Sequence, residues 1–439
     1  MTEKLSSKDK QNLRRADPGE VQQAWAASKR YRAKSEWLGT TNRYRRNAAR
    51  RSSKDATQNA VRSKNLLEYI AASVPLHCMD GWTFLSGAVS AHMRGDPDTA
   101  RHLAYYAELR AAMSLLGSQG VGILDKTHFV ALPGATLGQV RKATHPATWL
   151  VLSHWAARTA ARDLLGRIFQ PMGVPLRDWM DALPGLAGWQ VVGSGWLRQW
   201  GIDLQHLSND RFARNEASYR PTRLRGQRSQ GSLDSMGYVS DFWGLFDPSP
   251  GSPFDGLDRH FLRESLERVF EANGLDRKTS EAAVRQLVRD LLPGHGNAEL
   301  FIRFLLREVA EKTPSIFDHA SSDSSIDQET HHLEVTSRAA LLLRVATGSA
   351  AEFIGRDGTS REDIKYWWED FGVDRGFWRE SDEMDSLDDL YEDITEALDL
   401  SQAWRHGADK SRMNLLAGFP RSVSILTQCE RIALWSMAP

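Results

Sequence analysis

The chain has 439 residues, with 56 lysines and arginines against 56 aspartates and glutamates, and its pI is near 7.3. This balance excludes a uniformly basic nucleic-acid coat and an acidic disordered chain. Two cysteines are too few for a disulfide framework or a four-cysteine zinc site, and no apolar run reaches the roughly 18 residues that a membrane span needs. We therefore expect a cytoplasmic globular protein of two or three domains, without a cofactor.

Hydrophobic residues recur at the 3.6-residue period of helices along most of the chain, and long alternating runs of β-branched residues are scarce. The sequence therefore predicts a mostly α fold, a multi-helix bundle with a basic N-terminal arm and a second, C-terminal helical bundle. In chain order, we predict helices at 17–37, 59–72, 82–93, 96–116, 147–169, 258–273, 280–292, 297–312, 326–347, 359–371, 386–405 and 421–437. A short strand is a candidate for 190–196.

The helix at 96–116 has the clearest ends, since Asp96 is a typical N-cap, Pro97 suits the first turn and Gly117 favours termination. Residues 248–253, Pro-Ser-Pro-Gly-Ser-Pro, are typical of a linker. The predicted organisation is a basic arm at 1–56, an N-terminal helical domain at 57–247, a linker at 248–257 and a C-terminal helical domain with an acidic segment at 258–439.

Charge is distributed unevenly along the chain. Residues 1–64 hold 17 lysines and arginines against 6 acidic residues, whereas residues 351–400 hold 5 against 17. A basic segment of this kind is typical of polyanion binding, and an acidic segment is typical of binding a basic partner. The sequence also leaves open that the two segments pair with each other, within one chain or between subunits.

Cations in the basic arm alternate with aromatic residues such as Trp25, Tyr31 and Tyr44. Because cations neutralise phosphates and aromatic rings stack on unpaired bases, we predict that the arm binds nucleic acid. The predicted contacts are Lys29, Arg30, Arg32, Lys34, Arg43, Arg45, Arg46, Arg50 and Arg51, with a second basic loop at Arg223, Arg225 and Arg228. The alternative is a solvated, partly disordered arm whose aromatic residues pack on the body of the protein.

An acidic stretch at 382–399 follows a group of tryptophans, and tryptophan is common at the centre of protein interfaces. We therefore predict that another protein subunit binds this region. The predicted contacts are Trp367, Trp368, Trp378, Asp388 and Asp389. The alternatives are a solvated face for the acidic helix and burial of the tryptophans in the core. The sequence leaves the partner's identity and the oligomeric state open.

Motifs of the common catalytic classes are absent: the sequence has no Walker phosphate loop, dinucleotide fingerprint, nucleophile elbow or HExxH motif. Side chains of the types that bind metals cluster at Asp327, Glu329, His331, His332 and Glu334. Di-metal helical bundles need two Glu-x-x-His motifs, and this chain has one. We therefore expect a solvated polar helix start rather than a metal site.

The remaining catalytic candidate is the pair Arg289 and His295, with five residues between them. In metal-independent RNA cleavage, the histidine would act as acid or base near the 2′-hydroxyl, and the arginine would hold the scissile phosphate. The alternative is an arginine at a helix C-terminus followed by a Pro-Gly turn.

The helical segment 104–116 begins Ala-Tyr-Tyr-Ala and is followed by Gly120 and by Lys-Thr-His at 126–128. It resembles the "AYYA…AA…LL…G…KH" helix of HEPN-superfamily domains over about 30 residues. The resemblance implies a helical bundle of the kind found in bacterial toxins and antiviral defence proteins. Many such domains are metal-independent ribonucleases that use an Arg-x(4–6)-His pair, usually in dimers, and others are inactive binding modules. The resemblance makes Arg289 and His295 the matching pair.

The charge distribution and the lack of a complete catalytic constellation favour a non-enzymatic function. We predict a subunit of a prokaryotic assembly of the anti-phage defence type, which binds nucleic acid through the basic arm and another protein through the acidic C-terminal region. The alternative is a HEPN-like metal-independent ribonuclease or toxin that uses Arg289 and His295. The sequence does not distinguish DNA from RNA.

Overall fold

The computed structural model describes residues 4–183, 185–186, 188–189, 204–219, 235–248, 252–309, 313–326, 328, 330–381, 386–407, 409 and 411–437. Helices account for 70% of the protein, and the sheet found in these ranges has three short strands. The predicted mostly α, multi-helix fold is confirmed. None of the described helices is both long enough and apolar enough to cross a membrane.

The described helices are numbered in chain order. Those before residue 250 are α1 (Ser7–Arg14), α2 (Pro18–Ala27), α3 (Lys29–Arg32), α4 (Ala48–Thr57), α5 (Ser63–Arg94), α6 (Pro97–Ser118), α7 (Thr144–Ala156), α8 (Thr159–Ile168), α9 (Leu176–Asp181), α10 (Leu204–Tyr219) and α11 (Ser235–Leu245). Those after it are α12 (Asp255–Ala272), α13 (Arg277–Leu291), α14 (Ala298–Leu305), α15 (Ser315–Ser321), α16 (His331–Gly355), α17 (Lys365–Arg375), α18 (Leu390–His406), α19 (Arg412–Gly418), α20 (Pro420–Leu426) and α21 (Glu430–Met437).

Three long helices, α5, α6 and α16, form the centre of the fold. Every residue of α16 from His331 to Thr347 is buried, as expected for a helix that neighbours surround on all sides. The helices approach closely at Gly81, where an added Cβ would lie 2.7 Å from Leu343 Cδ2. Glycine therefore sets the spacing between α5 and α16 at this point.

Several predicted helix boundaries were wrong, and two of them show how distant contacts override local signals. The segment 82–93 and most of 59–72 belong to one helix, α5, which begins at Ser63 and continues through Pro75 while packing along α6. Conversely, the predicted helix at 147–169 is broken at Arg158, whose backbone is extended. The Arg158 guanidinium instead donates hydrogen bonds to the backbone oxygens of Leu13 and Arg14, at 2.9 and 3.1 Å, at the end of α1.

A small antiparallel sheet follows α6, and the sequence analysis did not predict it. Its strands are β1 (Val121–Gly122), β2 (Thr127–Leu132) and β3 (Thr136–Arg141), in the order β1-β2-β3. The tight turn between β2 and β3 contains Gly134 and Ala135 with φ of 77° and 53°. All six residues of β2 are buried, so the strand lacks the polar–apolar alternation of a half-exposed strand. The candidate strand at 190–196 lies outside the described residues.

Segments on the two sides of the predicted linker share one hydrophobic core. Helix α16 packs between α5 and α6, and buried side chains from both sides form a single cluster. The buried ion pair of Asp258 with Arg344, both after the linker, also bonds to the segment before it, because Asp258 accepts from the backbone N–H of Gln170 and Arg344 donates to the backbone oxygen of Ile168. The predicted segments 57–247 and 258–439 are therefore in extensive contact.

Candidate nucleic-acid interface

The basic N-terminal segment folds against the body of the protein, in four helices. Leu13, Val21, Trp25 and Tyr44 are buried, and α2 packs on α5, α6 and β2. This is the packing of aromatic residues on the body that the sequence left open. The cations that were predicted to bind nucleic acid consequently fall into two groups, those with carboxylate partners and those without.

Arg32 belongs to the first group and is 3% exposed. It donates to the backbone oxygen of Trp25 at 2.8 Å and to Ser28 Oγ at 2.6 Å, and it forms an ion pair with Asp357 at 3.3 Å. Burial lowers the pKa of Arg32, although the attraction of Asp357 opposes the shift. A guanidinium so enclosed supports the fold and does not face solvent.

Arg43 is also committed to a structural role. Its Nε and one terminal nitrogen donate to the two carboxylate oxygens of Asp55, each at 2.5 Å, and Asp55 is fully buried. Tyr44 Oη donates to the same carboxylate at 2.9 Å. The hydrogen bonds from Arg43 lower the pKa of Asp55. This bidentate pair anchors α4 to the preceding loop.

Three further predicted cations have looser carboxylate partners at the surface. They are Lys29 with Asp363 at 3.9 Å, Arg30 with Glu68 at 3.5 Å and Arg45 with Glu36 at 3.1 Å. The pairs of Lys29 and Arg45 are partly exposed and contribute at most about 1 kcal/mol, whereas Arg30 reaches Glu68, whose side chain is only 3% exposed.

Lys34, Arg46, Arg50 and Arg51 form the second group, since they are exposed and no described residue gives them a carboxylate partner. Arg51 donates to the backbone oxygen of Arg43 at 2.7 Å. Of the nine predicted contacts in the N-terminal arm, these four keep an uncompensated charge.

The two oppositely charged ends of the chain meet inside the molecule. Besides the contact of Arg32 with Asp357, the ring of Trp37 lies 5.8 Å from that of Trp367 and 5.6 Å from that of Tyr366. The Trp25 ring lies 5.6 Å from Phe353. Part of the overall charge balance is thus an intramolecular neutralisation around α2, α3 and the residues after α16.

A basic groove lies between α1 and the β2–β3 hairpin, with a volume near 780 Å³. Its charged lining residues are Lys4, Lys8, Asp9, Arg141 and Lys142. The one carboxylate among them is engaged in the cap of α1, since Asp9 Oδ2 accepts from the backbone N–H of Ser6 at 2.9 Å. The groove therefore presents four cations with little local compensation.

Two features hold the walls of this groove together. Asn12 Nδ2 on α1 donates to the backbone oxygen of Gln139 on β3 at 3.3 Å. Gly138 permits that approach, because an added Cβ would lie 2.9 Å from Asn12 Cγ. Ala56 and Asn59, at the end of α4, complete the wall, so Arg50 and Arg51 belong to a helix that borders the groove.

The sequence analysis did not single out the groove cations. Arg141 ends a strand that was not predicted and Lys142 follows it, whereas Lys4 and Lys8 lie before the aromatic-rich part of the arm. The adjacent pair Arg141-Lys142 was the available signal. The second basic loop that was predicted, at Arg223, Arg225 and Arg228, lies outside the described residues.

The tryptophans predicted to bind a partner are buried within the chain. Trp367, Trp368 and Trp378 are 8%, 2% and 9% exposed, and the ring of Trp368 lies 6.2 Å from that of Trp378. In this arrangement they pack the chain's own core. Asp388 and Asp389, just before α18, are exposed.

Arg289 and His295 lie at the surface, on the last turn of α13 and in the following turn. Arg289 donates to Gln286 Oε1 at 3.2 Å, and His295 Nδ1 accepts from the backbone N–H of Asn297 at 3.3 Å. Among the described residues no hydrogen bond links the two side chains.

The polar start of α16 is buried, which corrects the expectation of a solvated segment. His331, His332 and Glu334 are 7%, 3% and 2% exposed. His331 accepts from Arg101 Nε at 3.2 Å, and His332 Nε2 lies 2.8 Å from His92 Nδ1. Within the described part of the chain, no group of three or more potential ligands could hold a metal, and Asp327 and Glu329 lie outside it.

Comparison with known proteins found no matching family model, no matching curated protein and no matching solved structure. The resemblance of residues 104–128 to HEPN helices therefore rests on the sequence alone.

Proposed function

We propose that this protein binds nucleic acid through the groove between α1 and the β2–β3 hairpin, acting as a binding protein. The observation that carries the proposal is the concentration of Lys4, Lys8, Arg141 and Lys142 around one groove, where Asp9, the carboxylate among the described lining residues, is engaged in a helix cap. Such a surface recognises phosphates without reading bases, so DNA and RNA are both ligands in principle.

The exposed cations of α4 extend the proposed surface. Arg50 and Arg51 carry uncompensated charge on the helix whose end lines the groove. A flexible phosphate backbone that enters the groove would meet these cations along α4. The proposal thus retains part of the predicted N-terminal interface and assigns its paired members, such as Arg43, to the fold.

A protein partner at the acidic C-terminal region remains the second part of the proposal. It now rests on the exposed Asp388 and Asp389, because the neighbouring tryptophans are occupied in the core. A basic partner surface would match this charge.

The salt dependence of binding tests the groove. We expect the triple variant Lys8→Gln, Arg141→Gln, Lys142→Gln to bind labelled single-stranded RNA, single-stranded DNA and duplex DNA more weakly than the wild type. Loss of three phosphate contacts should also reduce the slope of log affinity against log salt by about 2 to 3. Fluorescence anisotropy over a range of salt concentrations measures both quantities.

The matched control removes the same charge elsewhere, with Arg277→Gln, Lys278→Gln and Arg303→Gln on the exposed faces of α13 and α14. It should keep the wild-type slope. Equal slopes for the groove variant and the wild type, or an equal loss in the control, would overturn the assignment of the groove.

A further inference from the structure

A cluster of aromatic and basic side chains lies where α6, α7 and α10 meet, away from the residues that line the basic groove. Helical spacing creates it: His102 and Tyr106 are four residues apart on α6, and Arg211 and Arg214 are three apart on α10. His145, in the first turn of α7, completes the group.

Hydrogen bonds orient both imidazoles in the same manner. His145 Nδ1 lies 2.7 Å from Tyr105 Oη, and His102 Nδ1 lies 2.8 Å from Ser218 Oγ. The Tyr106 ring stands beside both, with centroid distances of 5.1 Å to His102 and 6.3 Å to His145. No described residue hydrogen-bonds to either Nε2 atom, so these two atoms are available to a ligand.

Two arginines of α10 supply positive charge beside the cluster, and the buried carboxyl of Glu108 is also close enough to act on Tyr105, since burial and Glu108 both raise the pKa of that phenol. The Arg214 guanidinium lies 5.4 Å from the centre of the Tyr105 ring and 5.5 Å from that of Tyr106. No described residue offers Arg211 or Arg214 a carboxylate partner, and the buried Nε of Arg214 has no hydrogen-bond partner there. Asp210, their neighbour on α10, is held by Arg338 through two hydrogen bonds of 2.8 Å.

The surroundings of both histidines favour the neutral form of the imidazole. Burial lowers the pKa of His145, and Arg214 and Arg211 lower it further. Burial and Arg214 likewise lower the pKa of His102. The site thus combines two positively charged guanidiniums with two neutral imidazoles. A bound anion would be attracted by the guanidiniums and could accept hydrogen bonds from the imidazoles.

We infer that this junction is a second binding site, which takes the phosphate group of a nucleotide. A phosphate offers three or more acceptor oxygens and up to two negative charges, so it matches two guanidiniums and two imidazole nitrogens more fully than a carboxylate, which carries one charge on two oxygens. Helix α10 also carries two exposed aromatic residues seven positions apart, Phe212, which is 58% exposed, and Tyr219, which is 80% exposed. Such rings give a nucleobase a stacking surface.

Calorimetric titration of the full chain with AMP, adenosine and inorganic phosphate tests the site. We expect AMP to bind saturably and more tightly than either fragment, and the double variant Arg211→Gln, Arg214→Gln to weaken AMP binding at least about tenfold. In the wild type, AMP should shift the imidazole nitrogen NMR signals of His102 and His145 and leave His295 unchanged. Equal binding of adenosine and AMP, or equal AMP binding by variant and wild type, would overturn the inference.

Two controls separate this site from the groove and from misfolding. The groove variant Lys8→Gln, Arg141→Gln, Lys142→Gln should bind AMP as the wild type does, and a loss there would count against a separate site. The unfolding midpoint of the Arg211→Gln, Arg214→Gln variant should match that of the wild type. Restored AMP binding in Arg211→Lys, Arg214→Lys would show that the charge, and not the local packing, is what matters.

The groove variant also distinguishes two possible ligands of this site, the phosphorylated end of a nucleic acid and a free nucleotide. It is suited to this test because its groove should bind the phosphate backbone of nucleic acid only weakly. A preference for a 5′-phosphorylated over a 5′-hydroxyl oligonucleotide would identify the end of a nucleic acid as the ligand. AMP binding without that preference would identify a free nucleotide. Both results support the phosphate site and leave the groove proposal to its own test.

Discussion

Replacing Asp258 by alanine should destabilise the protein by about 3–5 kcal/mol, because it strands a buried cation. Arg344 is 1% exposed and donates to the two oxygens of Asp258 at 2.9 and 2.6 Å. Each such charge-assisted bond contributes about 1.5–3 kcal/mol. Arg344 would keep its bond to the backbone oxygen of Ile168 and its contacts with the rings of Phe169 and Phe254, at 4.6 and 4.2 Å.

The double variant Asp258→Leu, Arg344→Met should recover most of this loss. Burial raises the pKa of Asp258 even though Arg344 opposes the shift, so removal from water makes the ionised carboxylate costly at this position. Replacing such a pair by apolar side chains is often neutral or stabilising. The backbone N–H of Gln170, which donates to Asp258 at 2.7 Å, would still lose its acceptor and cost about 1 kcal/mol.

Urea unfolding followed by tryptophan fluorescence measures these free energies. The exposed Arg307, which pairs with Glu264 and Glu267, supplies a control: Arg307→Gln should cost no more than about 1 kcal/mol. A cost below about 1 kcal/mol for Asp258→Ala, or a double variant no more stable than the single one, would refute the reasoning.

Two further predictions concern the core. Burial raises the pKa of Glu430 to about 7, so folding takes up a proton between pH 4.5 and pH 7, and the free energy of unfolding should fall by up to about 1.4 kcal/mol per pH unit as pH rises through this range. Chemical unfolding should show a shallower fall for Glu430→Gln than for the wild type. An unchanged slope in the variant would contradict the assignment. Gly81→Ala should lower the free energy of unfolding by about 1–3 kcal/mol, because the new Cβ would meet Leu343. Gly244→Ala is the control: a Cβ there meets nothing within 4 Å, so this variant should be neutral or stabilising in thermal unfolding. Equal effects at the two glycines would show that α5 and α16 adjust to the added methyl group.

Local signals were sufficient to predict the helices whose ends are set by their own residues. The helix predicted at 96–116 is α6, in which Asp96 accepts from the backbone N–H of Thr99 at 3.1 Å and Pro97 occupies the first turn. The helix ends near Gly117, as predicted. These signals lie within one or two turns of each end, so the sequence displays them directly.

The hairpin could have been found from a different signal than periodicity. Strand β2 is buried on both faces, so its sequence, THFVAL, does not alternate. The Pro-Gly pair at 133–134, between two short segments that contain β-branched residues, marks the turn. The groove depends on this element, since its cation Arg141 is the last residue of β3 and Lys142 follows it.

Pairing between distant charges could not be predicted from composition. Arg32 and Asp357 are 325 positions apart in the chain, yet their side chains form an ion pair. Counting cationic residues along the sequence makes Arg32, Arg43, Arg46 and Arg50 equal candidates for binding nucleic acid. In the structure the first two have carboxylate partners, and no described residue gives the last two such a partner. Which cations remain free is a property of the tertiary structure.

The zero net charge of the chain therefore gives no measure of its affinity for polyanions. At physiological ionic strength charges are screened over about 8 Å, so a phosphate in the groove responds to Lys4, Lys8, Arg141 and Lys142 far more than to acidic residues elsewhere on the surface. The acidic residues that balance the count are partly used against α2 and α3, as in the pairs of Arg32 with Asp357 and Lys29 with Asp363. Because those partners neutralise cations outside the groove, they leave the groove's own charge in place, and binding there is expected to depend on salt as it does in a protein with a net positive charge.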